Sequence, residues 1–325
     1  MIQIKKFTAT DQEFIEIARI RNLVNHDSID HPDYDKDEWA IRDKNLIKDR
    51  LLLYYNNKLI GLLYYGQGRN ENSRTCFFNI VLDPKYNNNG YREILYQEML
   101  KKIKKFDSNK LYSNVYDHAN YRKHQKLLIK YNFKLVQTNR EYSCDIRLIN
   151  TDKYQPLINK LESEGIKFYD SRDEMKEFPN HYEKLEELIW TYDQDIPHPE
   201  EIIMTRPPFE EIMKEQIDFE ENCYGVEIVA VKDGQYIAST DIEVLPKAEP
   251  HKGWTGGLGV IREFRRQGIA TALKIKAIEI LLKKGITELR TDNEENNPMY
   301  KINVALGFKP VPFSLEYIKK IKEKK

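Results

Sequence analysis

Apolar residues along this chain switch between two spacings, every second position and every third or fourth, and the switches predict its elements. Strand-type runs fall at 2–8, 50–56, 58–66, 75–82, 110–116 and 133–147, with helical spacing at 11–24, 36–47, 91–105 and 120–131. A helix-like stretch from Tyr154 to Gly165 follows. The second half then repeats the order: strand 166–170, helices 180–193 and 208–218, and strands 224–232, 235–245 and 253–260. Past Gly268, Ile269, Leu273, Ala277 and Ile280 share one helical face, which puts Lys274, Glu279 and Lys283 on the other. A strand at 286–291 leads to a helix punctuated by Asn297 as N-cap, Pro298 at the first helical position and Gly307 at the end. Met299, Ile302 and Leu306 give that helix a buried stripe, and a last strand is expected over 311–317.

The repetition extends to landmarks. Leu82 to Arg92 can be laid on Val260 to Ala270 without a gap, so that Gly90 precedes Gly268 by 178 positions. Ile60-Gly61 precedes Ile237-Ala238 by 177, and Asn132-Phe133 precedes Gly307-Phe308 by 175. A nearly constant offset at three places argues for duplication and for two domains, 1–150 and 151–325. The junction, Asn150 to Lys153, has no Gly/Ser-rich or Pro-rich composition, so the halves are expected to pack together as a pseudo-dimer within a monomer.

Composition narrows the class. Among 325 residues, Lys+Arg is 52 and Asp+Glu is 52, which gives no general pull toward nucleic acid or an anionic membrane. No apolar run approaches the ~20 residues of a membrane span, and Met1 to Lys6 lacks a signal-peptide core, so the expected location is cytoplasmic. Cys76, Cys144 and Cys223 are far apart and odd in number, which makes a disulfide framework unexpected. His181, His198 and His251 are read as surface or turn residues, and no spacing of metal ligands is present.

The chemistry concentrates in Leu258-Gly259-Val260-Ile261-Arg262-Glu263-Phe264-Arg265-Arg266-Gln267-Gly268-Ile269-Ala270. A strand end, a basic turn and a helix start follow one another there. The first backbone N–H groups of a helix have no intrahelical partner and carry the positive end of its dipole, so this turn suits a pyrophosphate. Gly268 lets the main chain approach the anion and Ala270 is small enough not to block it. Together with the strand at 286–291 and Asn297-x-x-Tyr300-x-x-Asn303-x-x-Leu306-Gly307-Phe308, these residues resemble the acetyl-CoA-binding half of the GCN5-related N-acetyltransferase (GNAT) family.

The resemblance implies a mixed α/β fold of two tandem GNAT-like domains, each a mostly antiparallel sheet flanked by helices. It implies acetyl-CoA as co-substrate, no metal, and direct transfer of the acetyl group to an amine of a small molecule, peptide or protein. Leu258, Gly259, Val260, Arg265, Arg266, Gln267, Gly268, Ile269, Ala270 and Thr271 would hold the co-substrate, with Asn297, Tyr300 and Asn303 beside the pantetheine arm. Many relatives carry a Tyr at the place of Asn303, where it protonates the departing thiolate; Tyr300, one turn earlier, is the candidate replacement. A carboxylate must accept a proton from the amine, which arrives protonated because its pKa is about 10. Glu243 is the first candidate, with Asp241 on the same strand face and Glu227 on the neighbouring strand. Backbone N–H groups over 258–260 would meet the oxyanion. The region from Asp193 through Pro208 either lines the acceptor site or is a Pro-stiffened surface loop.

The two copies differ at the turn. Asn87 stands in the place of Arg265 and Arg92 in that of Ala270, so the amino-terminal copy is expected to be degenerate and non-catalytic. An alternative reading of the whole chain is a non-catalytic acyl-CoA-binding sensor. Binding of a nucleotide phosphate is disfavoured, because no phosphate loop with Lys-Ser/Thr is present.

Overall fold

Local signals decide where the elements begin. Thr10 and Glu13 form a reciprocal capping box that opens helix α1 (Asp11–Val24) at the expected residue. The second helix, α2 (Pro32–Ile41), starts four residues before the expected 36. Pro32 is pre-set for the first turn, and the His31 ring accepts from the Asp33 N–H at 3.2 Å. The computed structural model describes residues 1–25, 27–104, 108–222, 224–297 and 299–321. Pro298, Cys223 and the end of the Lys-rich tail from 322 lie outside them.

The chain continues through β1 (Ile2–Lys6), β2 (Lys48–Tyr55), β3 (Lys58–Gln67), β4 (Thr75–Leu82), α3 (Tyr91–Ile103), β5 (Lys110–Tyr116), α4 (Arg122–Lys130) and β6 (Lys134–Asp145). Then come α5 (Gln155–Ser163), β7 (Ile166–Asp170), α6 (Ser171–Glu174), α7 (His181–Asp193), α8 (Phe209–Asn222), β8 (Tyr224–Lys232) and β9 (Gln235–Val244). The order ends with β10 (Lys252–Val260), α9 (Ile269–Lys283), β11 (Glu288–Glu294), α10 (Tyr300–Ala305), β12 (Lys309–Pro310) and β13 (Ser314–Lys320).

Two compact units result: 1–139 with 199–205 and 312–325, and 140–198 with 206–311. Each is a mixed, mostly antiparallel sheet flanked by helices. In the first, the strands run β1-β2-β3-β4-β5-β13-β6; in the second, residues 140–145 of β6 precede β11-β10-β9-β8-β7. The first unit buries Leu51, Leu63, Phe78 and Leu95 on one side of its sheet and Phe14, Ile17, Leu52 and Leu62 on the other. The second buries Val226, Ile228, Ile237 and Ile242 against Ile269, Leu273, Ala277 and Leu281 of α9.

The final strand corrects an expectation. Rather than completing the sheet of the carboxy-terminal copy, β13 pairs with β5 (Tyr317↔Ser113) and with the first half of β6 (Leu315↔Thr138), all inside the first unit. The place beside β11 is already taken by 140–145: the Ile146 N–H donates to the Thr287 carbonyl at 2.9 Å and Ser143 Oγ to Glu288 at 2.7 Å. Strand β12 pairs with Tyr142 and Ser143 before Pro312, which has no N–H to extend a ladder.

Truncation after Val311 should therefore uncover the first unit. Hydrogen exchange is expected to show lost protection over 110–116 and 134–139, with β8 and β9 still protected; the reverse pattern would contradict the strand's placement.

Candidate functional site

The second unit is split by its own sheet. Strands β10 and β11 are parallel and pair only over Lys252–Trp254 with Glu288–Arg290. Beyond that point the ladder ends, while β10 stays paired with β9 through Val260↔Ala238. The Ile261 N–H bonds the Ile237 carbonyl, so alternation directs the backbone groups of Gly259 and Ile261 to β9 and those of Leu258 and Val260 to the open side. Arg265 Nε takes the Val260 carbonyl at 2.8 Å. The N–H groups of Leu258 and Val260 and the Leu258 carbonyl have no partner among the described residues.

Three glycines shape the same strand. A register shift between Thr255 and Gly257 bulges β10 toward β9. A Cβ on Gly256 would lie 2.0 Å from Asp241 Oδ2, and one on Gly259 would lie 2.1 Å from the Tyr192 ring. Gly259 is thus required by packing against Tyr192. That residue, on α7, is buried, and its hydroxyl lies 3.1 Å from Ser239 Oγ.

Asp241 and Glu243 share a face of β9 and are both half-buried. Desolvation pushes the Asp241 carboxyl up to about 6, against the pull of N–H donation from Gly257 and its own backbone, and the Glu243 charge adds to the rise. Glu227 is occupied otherwise: it is buried and accepts the Ser171 hydroxyl.

The turn before α9 is open. Arg266 has φ +61° and Gly268 φ +89°, a left-handed pair that aims successive N–H groups to one side. None of the N–H groups of residues 266–271 bonds a described residue. Arg265 and Arg262 both grip Asp195, at 2.5 Å from Arg265 Nη2 and 3.0 Å from Arg262 Nε, and these partners hold the Asp195 carboxyl down at about 2. Arg266 and Gln267 remain exposed.

Helix α10 begins at Tyr300 rather than just after Asn297. Asn297 still accepts the Met299 N–H at 3.0 Å, but only closes the preceding turn. Tyr300 is half-buried and packs on the apolar core. Asn303 is 2 % exposed, accepts from Lys274 Nζ and donates to Asn293 at 2.8 Å.

Residues 182–308 match the family described as acetyltransferase (GNAT). This part of the chain belongs to that family. Among solved structures, a tandem GNAT protein from the clavulanic acid biosynthesis pathway is similar over all of both chains (15% identity, TM-score 0.77). A GCN5-related N-acetyltransferase from Sphaerobacter thermophilus is similar over 99% of this chain and 96% of its own (14%, 0.69). A GNAT region of a fungal multi-domain β-N-acetylglucosaminidase covers 98% of this chain and 38% of that one (15%, 0.71). Comparison with curated proteins gave no match. The whole chain thus has a tandem GNAT fold.

The first GNAT-like unit repeats the split and closes it. Strands β4 and β5 pair in parallel only over Thr75–Phe77 with Lys110–Tyr112. Beyond that, Asn79 Nδ2 reaches the Asn114 carbonyl at 2.6 Å. The Ile80 carbonyl, counterpart of Leu258, receives Arg92 Nη1 at 2.5 Å and faces His124 Nδ1 at 3.0 Å. Arg92 also donates to Asn87 at 2.9 Å, so both departures from the GNAT turn pattern bond each other. Burial draws the Arg92 guanidinium down to about 10 and His124 down to about 3, leaving the imidazole neutral.

The GNAT split brings together Leu258, Gly259, Val260 and Asp241, and the open turn carries 266–271. Three residues depart from the sequence reading. His181 is buried and hydrogen-bonded to the Tyr236 hydroxyl at 3.1 Å, where a surface residue was expected; its ring fills the space between α7 and β9. Lys274 is buried, and Tyr192, which sequence reasoning missed, wedges against Gly259. The run Gly256-Gly257-Leu258-Gly259 was the available signal for a bulky neighbour. Among the described residues no cluster of His, Cys, Asp or Glu could hold a metal ion.

Substitution at Gly268 is a poor probe of the turn, because its φ is positive and a Cβ would meet Leu157 at 2.8 Å. Gln267→Glu is isosteric and exposed. It should weaken acetyl-CoA binding about tenfold at low salt and less at high salt, with an unchanged melting temperature, by calorimetry.

Proposed function

We propose that the chain is an acetyl-CoA-dependent N-acetyltransferase whose carboxy-terminal unit carries the transfer. The observation that supports it most is the free edge of β10 running into a turn whose N–H groups have no partner among the described residues. A co-substrate with amides along a flexible arm and a pyrophosphate at its end fits both features. Acetyl-CoA supplies the activated acyl group; the chain supplies position and charge.

The Leu258 and Val260 backbone groups extend the ladder to the arm as an added strand would. The N–H groups of 266–271 and the helix dipole receive the phosphates, with Arg266 beside them. An N–H over 258–260 stabilises the negative charge that develops on the thioester oxygen. Asp241 accepts the amine's proton. Glu243 was the first expectation from sequence, but Asp241 is the carboxylate tied to the Gly257 N–H at the bulge and raised by desolvation toward the working range. The Arg92 closure supports an amino-terminal copy that binds no acetyl-CoA. The acceptor is an amine of a small molecule, peptide or protein.

Turnover of acetyl-CoA over a panel of amines tests this reading; tight binding without turnover on any amine would favour a sensor instead. Asp241→Asn should lower kcat by about 10²–10⁴-fold with acetyl-CoA affinity preserved. Because Asp241 must be ionised to accept a proton, wild-type kcat/KM should rise as pH increases through about 6, and this limb should vanish in Asp241→Asn. An unaltered limb there, with loss instead in Glu243→Gln, would return the role to Glu243.

A further inference from the structure

Lys274 lies one and a half turns past the open turn, and helical spacing assigned it to the solvent side of α9. The helix instead buries it to 1 % exposure, because α10 and Phe308 cover that face. Its Nζ donates to Asn303 Oδ1 at 2.5 Å and lies 4.7 Å from the centre of the Phe308 ring. No carboxylate among the described residues pairs with it. The titratable group facing it is the Cys144 thiol of β6, with Lys309 also acting on that thiol. Desolvation draws the lysine down to about 7.

A buried ammonium without a counter-ion opposes folding, and an apolar side chain of the same length would serve packing better. Its one strong contact is to a carboxamide. With Oδ1 held by Lys274 and one N–H given to Asn293 at 2.8 Å, Asn303 has one amide N–H left without a partner among the described residues. The first unit provides an internal comparison. Tyr96, 178 positions before Lys274, is buried, its hydroxyl has no hydrogen-bond partner among the described residues, and its ring lies tilted against that of Tyr131 with centres 4.4 Å apart. Only the copy with the open turn carries a charge at this place.

We propose that Lys274 is a positioning residue for thioester cleavage: it fixes and polarises the Asn303 carboxamide so that the remaining N–H, backed by the ammonium charge, steadies the departing sulfur. The proposal rests on the reading that this unit transfers an acetyl group from acetyl-CoA. As the amine forms its C–N bond, the C–S bond breaks and its electron pair stays on sulfur. The ammonium acceptor gives up two protons to solvent, the first through Asp241 and the second after the C–N bond has formed; sulfur takes one back from solvent, since a carboxamide does not give up its own, so that one proton is released net.

Lys274→Met keeps length and removes charge. It should melt at or above the wild-type temperature without ligand, bind acetyl-CoA within about threefold, and turn over about 10–100-fold more slowly. Because the ammonium is lost as pH rises through about 7, the advantage of wild type over Lys274→Met in turnover should be full below that pH and shrink above it. Lys274→Gln, which keeps a hydrogen bond to Asn303 without charge, should share the defect. A variant that melts well below wild type would make the lysine structural, and unchanged turnover, or a wild-type advantage that does not vary with pH, would also overturn the proposal. Should wild type bind acetyl-CoA but acetylate no amine, the proposed function fails, while cleavage of the bound thioester by hydroxylamine, compared between wild type and Lys274→Met over the same pH range, decides on Lys274.

Discussion

Two parallel strands that stop pairing leave backbone N–H and C=O groups along both inner edges, and those groups must find partners. This constraint governs both halves of the chain. In the first unit the partners are side chains: Asn79 for the Asn114 carbonyl, and Arg92 with His124 at Ile80. In the second unit the equivalent carbonyl, that of Leu258, and the neighbouring N–H groups have none among the described residues. The same split thus occurs twice, once closed by side chains and once left open.

Keeping that edge open imposes demands around it. The glycines of β10 let Asp241 and Tyr192 press against the strand from the β9 and α7 sides, which holds the bulge while leaving the opposite edge free. The same pressing desolvates Asp241, so the feature that shapes the strand also raises a carboxyl into the range useful for accepting a proton. Asp195 ties the end of α7 to the basic turn through Arg262 and Arg265. Exposed as this cluster is, solvent screens it, and its worth lies in orienting the turn more than in stability.

Much of this was legible in the residues. Gly268, the basic turn and the helix after it follow from local rules, as do the capping of α1 and the strand runs of 75–82, 110–116 and 224–232, because short-range sterics and periodicity decide them. The destination of β13 was not legible, since 140–145 and 314–320 are both adequate strands and only their competition for the edge of β11 assigns them. Lys274 was misplaced because helical spacing describes one buried face, whereas α10 and Phe308 bury a second. Tyr192 was missed because a partner in packing lies 67 positions from Gly259, beyond any local pattern.

The central claim is that only the second split is open to acetyl-CoA. Isothermal calorimetry on the full chain measures it directly. One acetyl-CoA per chain is predicted, with Asn89→Glu, at the exposed counterpart of Gln267, leaving both stoichiometry and affinity unchanged. A stoichiometry of two, or loss of binding in Asn89→Glu, would contradict the account.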